Sequence, residues 1–195
     1  MDLVFATNNL NKIKEAAQLL PPSIRLRTLQ SIGCHEEIPE TGASLEENAL
    51  QKAKFVRERY GYDCFADDTG LMVDALNEAP GVHSARYAGD QRNAEANMEK
   101  LLGELGENPC RSARFETVIA LILEGETRIF RGVVHGKITM ERSGNAGFGY
   151  DPIFVPEGYN RTFAALSLEE KNRISHRAKA LEQLQNYLGS LRATS

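Results

Sequence analysis

Residues 2–20, DLVFATNNLNKIKEAAQLL, decide the fold class. Asp2 to Thr7 form a short, mainly apolar run of strand length. From Lys12 to Leu20 apolar side chains recur at helical spacing, until Pro21 and Pro22 stop the helix. A strand that passes through a polar turn into a helix is the opening of an α/β chain. Further along, Ser44 followed by Glu47 makes a capping box, and Leu45, Ala49, Ala53, Val56 and Tyr60 follow it on one helical stripe. The run DCFA, 63–66, reads as a short strand that delivers the pair Asp67 and Asp68 at its C-terminal end. Another helix is expected over Ala94 to Leu105. The runs 111–125 and 127–140 form a central hairpin turning near Gly125. After the glycine-rich loop SGNAGFGYDP, 143–152, a final helix lies within 167–191, with Leu181, Leu184, Leu188 and Leu191 on its buried face. No repeat, low-complexity segment or linker interrupts this order, β-α-β-α-β-α-β-β-α. One α/β domain over 1–195 with a mixed sheet is expected.

Bulk properties narrow the function. A chain of 195 residues with formal net charge −4 lacks the excess of Lys and Arg on which phosphate-coating nucleic-acid binders depend, so no nucleic-acid partner is expected. A small anionic substrate in a local basic pocket stays open. Cys34, Cys64 and Cys110 are an odd, widely spaced set without a C-x-x-C, which signals neither a disulfide framework nor a zinc site. No run approaches the ~20 apolar residues of a membrane span, and the N-terminus carries no export signal, so a cytoplasmic location is expected.

Five patches carry possible chemistry. The strand-to-helix turn Thr7–Lys12 is a natural anion site because helix-start N–H groups are unpaired, although Asn there also serves as an ordinary cap. Lys52 falls about 20° outside the apolar stripe of the second helix, with Asn48 about 40° further round. That position suits a helix lining a polar cleft or, equally, a snorkelling lysine. Asp67, Asp68 and Glu40 offer hard oxygen ligands without a His or Cys cluster, so a metal here would be Mg²⁺ or Mn²⁺; the alternative is a plain surface turn before Gly70. His176 and Arg177, with Lys171 and Arg173 ahead of them, gather positive charge at a helix start. The macrodipole disfavours cations there unless an anion is close, or unless the patch is simply solvated. In GFGYDP, the aromatics Phe148 and Tyr150 stand between glycines, as they would to stack on a planar base or to plug a core.

In this order the segments ATNNLNK, ETGASLEENALQKA, ADDTGLMVDAL, APGVHSARYAG, FGYDPIF and EEKNRISHRAKAL resemble the signature segments of the inosine/xanthosine triphosphate pyrophosphatases. These enzymes hydrolyse non-standard purine nucleoside triphosphates. Thr69 stands where that family more often has serine. The resemblance implies a long mixed β-sheet flanked by helices, in two lobes with the active site in the cleft between them, and a homodimer. It implies that Thr7, Asn8, Asn9, Leu10, Asn11 and Lys12 bind triphosphate. Glu40 and Asp68 would hold Mg²⁺, Asp68 would also accept the proton, and Lys52 would lie near the phosphates. Thr69, Phe148, Gly149, Tyr150, Asp151, Lys171, His176 and Arg177 would complete the nucleotide pocket. The implied reaction releases the nucleoside monophosphate and diphosphate from ITP, dITP or XTP. Three other readings compete: a pyrophosphatase for modified pyrimidine nucleotides or dUTP/dTTP, a non-catalytic nucleotide-binding regulator and an RNA-binding domain.

Overall fold

The computed structural model describes residues 1–193. The chain divides into two compact units, and β3 (Cys64–Val73), β5 (Ser112–Leu123) and β6 (Glu126–Ile138) contribute residues to each. The strand order is β2-β1-β3-β5-β6-β7, with β4 paired to β3. Here β1 is Asp2–Phe5, β2 Arg25–Thr28, β4 Pro80–Gly81 and β7 Phe154–Pro156. Parallel pairs join β1 to β2 and to β3, and antiparallel pairs join β3 to β4 and β6 to β7. The mixed α/β class expected from the sequence is therefore the observed one.

The first unit comprises residues 1–68, 117–132 and 177 onward. Its helices are α1 (Leu10–Leu19), α2 (Leu45–Tyr60) and nearly all of α5 (His176–Ala193). Side chains alternate across a strand, and this unit uses both faces of its sheet. Leu3, Phe5, Phe65, Ile119 and Leu121 pack with Ala16 of α1 and with Ala180, Leu181, Leu184 and Leu188 of α5. Val4, Ala6, Cys64, Ala66, Ala120 and Ile122 pack with Ala49, Ala53 and Val56 of α2. Odd-numbered residues of β1 and of the first-unit part of β3 thus face the α1/α5 layer, and even-numbered ones the α2 layer.

Local signals explain the element ends. α1 begins at Leu10 rather than Lys12, because the Asn9 side chain accepts from the backbone N–H groups of Asn11 and Lys12. Ser44 caps α2 by accepting from Glu47 N. The Glu47 carboxylate accepts from Ala43 N instead of Ser44 N, so the capping box closes one residue early. Glu124 and Gly125 both take positive φ, 51° and 86°, as a two-residue hairpin turn between twisted strands requires.

The second unit comprises residues 69–116 and 133–176. It holds α3 (Ala94–Leu105) and α4 (Leu168–Ile174), with a core that includes Leu71, Val73, Leu101, Phe115, Ile138, Phe154 and Phe163. α3 has the bounds its periodicity predicts. One reading of the sequence needs correction: β3 does not end at the aspartates but runs through them to Val73, since Leu71, Met72 and Val73 continue the buried run. The final helix begins at His176, the helix start read from the sequence, and a separate short helix, α4, precedes it, because Ser175 takes an extended conformation between the two. Among the described residues, no helix is long and apolar enough to cross a membrane.

Candidate functional site

In the first unit, parallel strands β1 and β3 carry the Thr7–Lys12 turn and the aspartate pair beyond their paired stretch. The crevice outside the carboxyl ends of parallel strands is where α/β sheets bind ligands. By the alternation above, Asp67 belongs to the α1/α5 layer and Asp68 to the α2 layer, and their partners follow. Lys12 Nζ of α1 donates to Asp67 Oδ1 at 2.9 Å, and Arg177 Nε of α5 donates to Asp67 Oδ2 at 3.0 Å. Arg177 also donates through Nη1 to Glu15 of α1. Asp68 Oδ2 accepts from Asn48 Nδ2 of α2 at 3.0 Å. Lys52 Nζ of α2 lies 2.5 Å from Glu40 Oε1 and 3.8 Å from Asp68 Oδ1.

Much of this cluster is buried. Asp67 is 0% exposed, Arg177 1%, Glu15 3% and Lys52 6%. Burial alone would push Asp67 up, but Lys12 and Arg177 beside it overcome that and hold its carboxyl well below the usual carboxylate range. Burial raises Asp68, and the neighbouring Glu40 adds to it, so that Lys52 and Lys12 only partly offset the shift. Burial lowers Lys12, and Asp67 does not fully restore it. For Lys52, Asp68 and Glu40 outweigh burial and hold the ammonium above its ordinary value.

The first-unit candidates separate by exposure. Lys52 does not snorkel; it is buried against carboxylates. Asn8, Asn9, Leu10 and Asn11 are exposed, Leu10 to 71%, and Thr7 Oγ1 accepts from Asn9 N. Helix capping therefore does occupy Asn9, while its neighbours face outward. The anion that offsets positive charge at the start of α5 comes from the protein itself, Asp67 and Glu15. Of the buried residues of this cluster, the sequence marks Asp67 as a candidate oxygen ligand and Asn48 as a neighbour of Lys52 without giving either a place in the nucleotide pocket, and it does not mark Glu15 at all. Asn48 had a signal in its place beside Lys52 on the helical wheel. Glu15, three residues after Lys12, reads in sequence only as an ordinary helix-surface charge.

The second unit holds its own cluster. Lys171 Nζ donates to Asp151 Oδ2 at 2.6 Å, both side chains being buried, and Phe148 N donates to the same oxygen at 2.9 Å. Lys171 Nζ lies 4.8 Å from the centre of the Phe148 ring. Gly147 makes this packing possible: its φ is +73°, and a Cβ there would come within 2.1 Å of Asp151 Oδ2. Gly149 also takes positive φ, and Thr69 is half-buried. Of the two loop aromatics, Phe148 is half-buried. Tyr150 is buried and donates its hydroxyl to Ser84 O at 2.8 Å. His176 is buried too, stacked on Phe115 with centroids 4.7 Å apart.

Known proteins resemble this one over nearly the whole chain. The model of the Ham1 family matches residues 3–187. A dITP/XTP pyrophosphatase of Flavobacterium johnsoniae is 58% identical over 94% of this chain and 96% of that protein. The dITP/XTP pyrophosphatase of Bacillus subtilis is 45% identical over 96% of each. The solved structure of the Staphylococcus aureus Ham1 protein superposes with a TM-score of 0.89 at 40% identity, covering 97% of this chain and 99% of that one. With both sequence and fold matched from end to end, the chain belongs to the Ham1 family.

Proposed function

We propose that this protein is a Mg²⁺-dependent nucleoside triphosphate pyrophosphohydrolase that converts the non-standard purine nucleotides ITP, dITP and XTP to monophosphate and diphosphate. The observation that carries the reading is the division of labour at Asp67 and Asp68. One carboxylate is buried against two cations, while its neighbour lies with Glu40 around a single ammonium. The names of the relatives support the substrate class.

Glu40 and Asp68 suit a hard divalent cation. They converge on Lys52 Nζ, at 2.5 and 3.8 Å, so the protein itself already places a positive charge between them. Among the described residues no group of three or more His, Cys, Asp or Glu side chains could hold a metal ion. Two carboxylates completed by water and substrate phosphate are a usual Mg²⁺ arrangement. Bound there, Mg²⁺ would neutralise charge on the phosphate oxygens and on the departing diphosphate.

The chain's own residues account for the rest. The Thr7–Lys12 turn and Lys12 hold the triphosphate, with Lys52 alongside. Asp68 accepts the proton of the water that attacks the α-phosphorus. As the new P–O bond forms, the bond from the α-phosphorus to its bridging oxygen breaks and diphosphate leaves. Lys12 and Lys52 meet the negative charge that shifts onto the oxygens.

Thr69, the Phe148–Asp151 loop and Lys171 take the sugar and base, and His176 and Arg177 complete the pocket. Arginine can only donate hydrogen bonds, so it satisfies the 6-carbonyl of hypoxanthine or xanthine and opposes the 6-amino group of adenine. The enzyme acts as a homodimer on the nucleotide pool of the cytoplasm, and its sedimentation coefficient tests the dimer. Diphosphate release from ITP, XTP, GTP and ATP, with and without Mg²⁺, tests the whole reading. Fast Mg²⁺-dependent release from ITP and XTP is expected, and equal rates on ATP would refute it.

A further inference from the structure

The mechanism above leaves Asp67 without a task, although it is the most enclosed charged group in its cluster. We propose that Asp67 is the positioning residue for two nucleotide-facing cations: one carboxylate fixes the phosphate-binding Lys12 through one oxygen and the base-side Arg177 through the other, and takes no part in holding metal or accepting the proton. This deepens the proposed function and rests on it, since it needs Lys12 to face a triphosphate.

Three observations carry the inference. First, the alternation of β3 turns Asp67 toward α1 and α5, while Asp68 turns toward α2, Glu40 and Lys52. Second, each Asp67 oxygen accepts from a cation, at 2.9 and 3.0 Å, and the residue has no exposed surface. Mg²⁺ keeps several of its waters, so a carboxylate sealed on both oxygens cannot reach it without releasing Lys12 or Arg177. The Asp68 side chain keeps 13% exposure. Third, an ammonium has three donors, and Lys12 spends one on Asp67. The remaining two are aimed by that bond, beside the exposed N-terminal turn of α1. Glu15 makes the frame stiffer by holding Arg177 from the far side.

A double-mutant cycle on the full-length protein tests this, using Asp67→Asn, Lys12→Met and the pair. Three quantities are read: affinity for inorganic tripolyphosphate without metal by calorimetry, kcat and KM for ITP with Mg²⁺, and Mn²⁺ binding to the nucleotide-free protein by electron paramagnetic resonance. Asp67→Asn should weaken tripolyphosphate binding and raise KM, each by about tenfold or more, with Mn²⁺ affinity within about twofold of wild type. The pair should be no weaker than Lys12→Met alone, because both changes remove one interaction. Unchanged tripolyphosphate affinity, losses that multiply across the pair, or a fall in Mn²⁺ affinity would each overturn the proposal. If Asp67→Asn does not fold, Asp67→Glu moves the same charge by one methylene and is read by the same three criteria. A wild-type protein that fails to hydrolyse ITP would instead sink the functional reading itself, before any variant is compared.

Discussion

Asp67 and Asp68 are chemically identical neighbours, yet one is held well below the usual carboxylate range by Lys12 and Arg177 while burial raises the other from its ordinary value. The strand sends consecutive side chains to opposite layers, so each meets a different set of charges. Their adjacency was legible in the sequence, and with it the need for positive charge nearby. Which cation serves which carboxylate was not, because Lys12 and Arg177 are 55 and 110 residues from Asp67 along the chain. Asp68→Asn tests the assignment at this scale. Removing a positioned general base should lower kcat for ITP by about 100-fold or more while nucleotide binding stays measurable. Retention of a tenth of the wild-type kcat would remove Asp68 from that role.

At the scale of elements, the helices were the most readable parts. Apolar spacing and the cap at Ser44 located α2, and α3 lies where its pattern placed it. The short strands were not delimited. β2 has the sequence RLRT, whose charges hide its one apolar position, and β4 has only two residues, too few for any period. The glycine-rich loop was visible as a candidate ligand contact, but its internal geometry was not. Gly147 is needed there because its positive φ and missing Cβ leave room for the Asp151 carboxylate to accept from Phe148 N. Gly147→Ala should therefore displace Asp151 from Lys171, raising KM for ITP by about tenfold, with a stability loss of about 1–3 kcal/mol. A thermal melt and a KM measurement check both outcomes. A KM equal to wild type would show that the loop tolerates the methyl.

For the whole molecule, the buried charges make stability depend on pH. The folded-state pKa of Asp67 is depressed by Lys12 and Arg177, so its contribution is present in full above the ordinary aspartate range, about pH 4. It is lost progressively as pH falls below that range. Urea unfolding midpoints should thus hold steady from neutral pH down to about pH 5 as far as this group is concerned, then fall toward pH 3. Asp67→Asn should be less stable at pH 7 by about 3–5 kcal/mol and show a shallower acid decline. A variant with the same acid slope as wild type would contradict the linkage. By itself the sequence determined the α/β class, the main helices, the hairpin and the six segments that mark the family, because periodicity, caps and local motifs are properties of neighbouring residues. Only the tertiary structure decided that β3 passes through the aspartate pair, that Lys52 turns inward to Glu40, and that Asp67 binds residues from both ends of the chain. Those outcomes depend on which layer a strand position faces and on what packs there, and no local pattern encodes a partner so far away.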